Sequence, residues 1–203
     1  VLIFPGFDDL DAFGPFEVLA NARLGGADIA VRFVTLGAVE TVATSHGATV
    51  VPHGALDTEA APDLLVIPGG GWNDSGQTGA RVEAQRGELP AAIAGLHAGG
   101  TTIASVCTGA GIVAAAGLLV GREASTHHNA REELREQGVE IVDARVVDDG
   151  DVLSAGGVTA GIDLALWLVE RSFGSGLADG IACEMEYERR GPLHYGRNAI
   201  PVT

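Results

Sequence analysis

The stretch Thr101-Thr-Ile-Ala-Ser-Val-Cys-Thr-Gly-Ala-Gly-Ile-Val-Ala-Ala-Ala116 decides the fold. Thr101 to Val106 has the β-branched, apolar character of a buried strand, and small residues spaced by Gly109 and Gly111 take over at once as a helix. Cys107 stands at the junction, in the layout of a nucleophile elbow. Such a turn is predicted to be strained and to push the thiol into solvent. The unpaired N–H groups of the following helix are expected to favour thiolate over thiol. A buried packing role is the alternative for any free cysteine. Gly109 and Gly111, which allow close backbone approach, favour a reactive one.

Outward from this junction, apolar runs alternate with helical ones. Val1 to Phe4 and Ile29 to Leu36 are predicted strands, as is Asp63 to Ile67, which is stopped by Pro68 and Gly69-Gly-Gly71. The loop Pro5-Gly-Phe-Asp-Asp9 leads to a helix expected to begin near Gly14-Pro15, since proline is tolerated in a first turn. Leu89 to His97 and Thr159 to Phe173 read as helices, and Arg145 to Ser154 as a hairpin turning at Asp149-Gly150. The alternation implies an α/β fold, a three-layer sandwich whose mostly parallel central sheet is covered on both faces. Ligands gather beyond the carboxyl ends of such strands. Three loops are predicted to converge there, carrying Asp11 with Glu17, Gly69 with Gly70, and Cys107 with Thr108.

The 203 residues fit one domain, with 187–203, which include Pro192 and Pro201, as an extended tail. The first residues, Val1-Leu-Ile-Phe4, read as the middle of a strand, so the polypeptide is expected to start slightly earlier. Twelve basic against 27 acidic residues give a formal charge of −15, which argues against a nucleic-acid partner. Every basic residue is arginine, which removes Schiff-base lysines, a phosphate-loop lysine and a Ser-Lys dyad. Cys107 and Cys183 have no C-x-x-C spacing, so no disulfide framework or metal site is expected, and a cytoplasmic setting is the natural one. No apolar run reaches the ~20 residues of a membrane span, so no membrane association is expected. Cys183 reads as a helix-packing thiol, Trp72 and Trp167 as core or pocket-wall residues, and Glu132-Glu133 and Asp148-Asp149 as exposed charges.

Phe4-Pro-Gly-Phe-Asp-Asp-Leu-Asp-Ala-Phe-Gly-Pro-Phe-Glu-Val-Leu19, Ile67-Pro-Gly-Gly70, Ser105-Val-Cys-Thr-Gly109, Ser125-Thr-His127 and Gly156-Gly-Val-Thr-Ala-Gly161 occur in this order. With them the chain resembles the ThiJ/PfpI superfamily, with its flavodoxin-like, class I glutamine amidotransferase-like fold, and most closely its isocyanide hydratase branch. The resemblance implies that Cys107 is the nucleophile and Asp11 the carboxyl group facing it; a helix-start carboxylate that only complements the helix dipole is the other reading of Asp11. A carboxyl desolvated against sulfur is expected to have a raised pKa and to donate a proton. The resemblance also implies Gly70 and Thr108 N–H groups as oxyanion donors, with Gly69 in the same turn, and a structural or supporting role for Glu17. His127 matches a site histidine of related branches, but His128 follows where the hydratase branch commonly has tryptophan, so a packing role stays open. Thr108 stands where the protease-like branch has a histidine, which argues against peptidase chemistry. The implied activity is cofactor-free hydration of a small organic isocyanide to an N-substituted formamide, by a homodimer. Glyoxalase or deglycase-like chemistry on small 2-oxoaldehydes, and a non-catalytic ligand-sensing domain, are the alternatives.

Overall fold

The structure is a computed structural model that describes residues 1–73 and 76–199. In chain order, α1 (Asp9–Leu24) is followed by the short strands β1 (Val34–Thr35), β2 (Val42–Ala43), β3 (Thr49–Val50) and β4 (Gly54–Ala55). Next come β5 (Leu64–Ile67), α2 (Ala80–Arg86), α3 (Glu88–Ala98), β6 (Thr102–Val106) and α4 (Gly109–Ala115). The remainder comprises β7 (Glu123–Ala124), a 3-10 turn (His128–Ala130), α5 (Arg131–Glu136), β8 (Glu140–Ile141), β9 (Val146–Asp149), β10 (Val152–Ala155), α6 (Ala160–Phe173), α7 (Ser175–Glu184) and β11 (Leu193–Tyr195).

The central sheet runs β11-β9-β10-β6-β5, parallel throughout except for the β9–β10 hairpin. Val1 to Phe4 continues it beyond β5, with the Leu2 N–H donating to Val66 O and the Ile3 N–H to Val34 O, each at 2.8 Å. Strand periodicity sorts the core into two layers. Leu65, Ile67 and Ile103 face α3 and α4 residues such as Leu89, Ile93 and Ile112, whereas Val66, Ala104 and Val106 face Val18 of α1 and Leu164 and Leu168 of α6. The three-layer α/β architecture with its mostly parallel sheet stands as expected.

Several local readings need correction. The first helix starts at Asp9 rather than near Pro15, because the Asp8 carboxylate caps it by accepting the Leu10 N–H at 3.1 Å. Pro15 therefore lies inside α1 and leaves the Asp11 carbonyl without its usual N–H partner four residues on. Of Ile29 to Leu36, only Val34–Thr35 pairs as a strand; the Phe33 N–H is taken by His53 Nδ1. Asp148 and Asp149 are buried, not exposed. Asp148 accepts from Trp167 Nε1 at 2.8 Å and from Arg171, while Asp149 accepts from the Asn198 backbone and side chain. Those Asn198 bonds draw in the expected tail, and Leu193–Tyr195 adds a parallel edge strand beside β9. Residues 200–203 of that tail lie outside the described residues. Cys183 is exposed on α7 rather than packed.

Candidate active site

The β6-to-α4 turn places Cys107 at φ +59°, in the left-handed region that costs a non-glycine residue strain. The surrounding chain fixes it there. The Cys107 N–H donates to Gly156 O at 2.9 Å, and Thr126 Oγ1 donates to the Cys107 carbonyl at 2.8 Å. The strained elbow is present, but the thiol does not project into solvent: Cys107 is 6% exposed.

Asp11, in the first turn of α1, is fully buried against this thiol. Its Oδ2 accepts the Gly69 N–H at 3.0 Å, and Oδ1 meets no N–H or O–H donor, which leaves the Cys107 thiol as the carboxyl's other hydrogen-bonding neighbour. Burial, reinforced by the nearby Asp8 charge, pushes Asp11 up to about 7. Burial and the facing Asp11 charge push Cys107 up to about 12, although the N–H groups of Val158 and Thr108 favour the thiolate. Resting thiolate activation by the helix start is therefore corrected: desolvation and the carboxylate outweigh the seven-residue α4. Between about 7 and about 12 the pair holds one proton between sulfur and carboxyl.

The glycine turn is also more occupied than expected. The Gly69 N–H is spent on Asp11, and the Gly70 N–H donates to Thr108 Oγ1 at 3.0 Å, so Gly70 is not a free oxyanion donor here. Gly70 sits at φ +117°, and a side chain there would strike the Asp8 N–H and Gly6 carbonyl. The Thr108 N–H lies near the sulfur, where it favours the thiolate. His127 lies half-buried at the same rim, where its Cδ2 edge lies against Gly157, directly before Val158. Its Nδ1 accepts the Asn129 N–H at 3.3 Å and its ring lies 4.0 Å from that of His128. Burial and the His128 neighbour lower its pKa, so it stands neutral at pH 7. Glu17 is exposed on α1 and bonds to neither Asp11 nor Cys107, so it does not buttress them. The Val158 N–H, which also favours the thiolate, is not legible in the sequence. Val158 is β-branched yet at φ +42°, and its only signal was the Gly156-Gly157 pair before it.

A buried acid against a cysteine on a strained strand-to-helix turn is one site built by two distant segments. The family model described as the DJ-1/PfpI family matches residues 1–171. The chain belongs to the DJ-1/PfpI family. Among curated relatives of this family, the isonitrile hydratase of Pseudomonas putida is 33% identical over 96% of the chain and 80% of its own length. The HTH-type transcriptional regulator CdhR of Pseudomonas aeruginosa is 30% identical over 87% of the chain, which spans about half, 51%, of the regulator. A ThiJ/PfpI family protein from Pseudomonas syringae superposes with a TM-score of 0.80 at 29% identity, covering 94% of this chain and 75% of that one. The DJ-1/PfpI family thus includes enzymes and regulators, and the fold is theirs. No helix among the described residues is long and apolar enough to cross a membrane.

Proposed function

We propose that this protein is a cysteine-dependent enzyme that hydrates a small organic isocyanide to an N-substituted formamide. The observation that carries this reading is the buried Asp11–Cys107 pair, with a single proton to move and one carboxylate oxygen that no N–H or O–H donor occupies. The thiol proton passes to Asp11 as sulfur bonds to the terminal isocyanide carbon, and Asp11 returns that proton to the same carbon, leaving a thioimidate on Cys107. The Asp11 carboxylate then takes a proton from water as its oxygen attacks this carbon. The C–S bond breaks, sulfur recovers the proton, and the released imidic acid tautomerises to the formamide. The net change is addition of one water.

Access favours this substrate. An isocyanide presents an unhindered, linear carbon, which reaches the sulfur of a buried cysteine more readily than the trigonal carbonyl of a 2-oxoaldehyde. The resemblance to isonitrile hydratase along nearly the whole chain supports the same reading. The test is spectroscopic turnover of an aryl isocyanide and of methylglyoxal by wild type, Cys107→Ala and Asp11→Asn. Isocyanide turnover abolished in Cys107→Ala, with kcat/KM lowered about 10²–10⁴-fold in Asp11→Asn, is the expected result. Turnover of methylglyoxal alone transfers the assignment to 2-oxoaldehyde chemistry. Inertness towards both, with tight binding of a small ligand, identifies a sensor.

A further inference from the structure

Trp72, Arg81 and Glu133 form a closed set of bonds beside the site that the proposed chemistry does not use. Arg81 donates through both terminal nitrogens to the two Glu133 oxygens, at 3.0 and 2.7 Å, and through Nε to the Trp72 carbonyl. Trp72 Nε1 donates to Glu133 Oε2 at 3.1 Å, and the Arg81 guanidinium lies 4.5 Å from the indole ring centroid. The ring's far edge lies on Gly111 of α4, where a methyl group would overlap it. Isolated surface ion pairs contribute little. This one is bidentate, stacked on an aromatic face and engaged at every guanidinium nitrogen, so its geometry is set in three dimensions.

Its location gives the set a consequence. Trp72 directly follows Gly69-Gly70-Gly71, a turn with no side chains of its own to fix the direction of its N–H groups. Yet the Gly69 N–H must meet Asp11 and the Gly70 N–H must meet Thr108. The bonds to Arg81 tie the end of this turn to α2, and those to Glu133 tie it to α5, the helix that follows His127 and the 3-10 turn. We propose that Arg81 and Glu133 are positioning residues: by locking Trp72 they hold the Gly69 N–H on the Asp11 carboxyl and so set where that carboxyl stands against Cys107. The catalytic consequence rests on the function proposed above; the positional one does not.

The experiment compares the full chain with its Arg81→Ala and Glu133→Gln variants by amide hydrogen exchange at Gly69, by titration of the Asp11 carboxyl 13C resonance assigned through Asp11→Asn, and by thermal unfolding. Arg81→Ala is expected to speed Gly69 exchange by about tenfold or more. It is also expected to raise the Asp11 midpoint by about half a unit or more, because the Gly69 bond holds that pKa down. Glu133→Gln keeps one acceptor oxygen and is expected to move both readouts in the same direction by less, and it carries the test if Arg81→Ala does not fold. A lowered melting temperature with Gly69 exchange and the Asp11 midpoint unchanged would make the set a mere structural brace and overturn the proposal. If wild type turns over isocyanide, Arg81→Ala should lower kcat with little change in KM. If wild type does not, the proposed function fails while the exchange and titration results still decide this inference.

Discussion

At the residue scale, Asp11 contributes a stability penalty that can be measured. Its pKa is about 7 in the folded chain against an ordinary carboxylate value of 3.8, so the folded state holds a proton that the unfolded state has released between those values. Stability attributable to this group is therefore greatest below pH 3.8, falls as pH rises to 7, and stays low above it. Asp11→Asn should be more stable than wild type at pH 8 by roughly 2–4 kcal/mol, with the difference vanishing near pH 4, as read from urea midpoints at both values. The same pair sets a rate profile. The singly protonated state that the proposed chemistry needs forms as pH rises through about 7, so kcat/KM for the isocyanide should climb there to a plateau in wild type. A profile flat across pH 6–8 would contradict it. The identities of Cys107 and Asp11 as neighbours were legible in the motifs, but the direction of the cysteine shift was not. Helix-start logic sees the donors ahead of the sulfur, whereas the opposing effects, burial and a facing carboxylate from 96 positions earlier, exist only after folding.

At the scale of elements, the elbow succeeds because β6 and α4 are built of side chains small enough for other segments to press against them. Gly111 is where this is most exposed to test, since the Trp72 ring fills the space a side chain would need. Gly111→Ala is expected to cost about 1–3 kcal/mol in chemical denaturation, and pairing it with Trp72→Phe should recover part of the loss. Strand and helix alternation revealed β5, α3, β6, α6 and the β9–β10 hairpin because each buries a regular apolar face. It failed for α1, whose start is set by a capping carboxylate rather than by the proline. It failed again for Ile29 to Leu36, where side chains alternate in burial but most of the backbone has no neighbouring strand. Glu133 illustrates the same gap: on its own helix it reads as a solvated charge, and only the fold brings Arg81 and Trp72 to it.

At the scale of the molecule, two buried carboxylates act as hubs, one tying α6 to the β9–β10 hairpin and the other tying the segment after α7 to α6. Asp148 gathers Trp167, Arg171 and the Gly150 N–H, and Asp163 gathers Arg145, Tyr187 and the Arg190 N–H. Replacing Asp148 by Ala should destabilise the chain by about 3–5 kcal/mol, because Arg171 and the indole N–H lose their shared acceptor in a buried setting. Equilibrium unfolding of Asp148→Ala checks this. A homodimer remains our proposal for the assembled state. Leu10 and Phe13 of α1, three residues apart on one face, are each 38% exposed and could be covered by a second copy. Sedimentation velocity should give a single species of twice the chain mass; a monomer at micromolar concentration would refute it.

The two thiols differ in what can touch them. Cys183 faces open water on α7, while Cys107 is enclosed beside an acid. A bulky maleimide applied briefly near neutrality should decorate α7 alone, giving one defined anchoring point for a fluorophore or a solid support. The chain contains no lysine, so reagents aimed at side-chain amines would find no competing foothold.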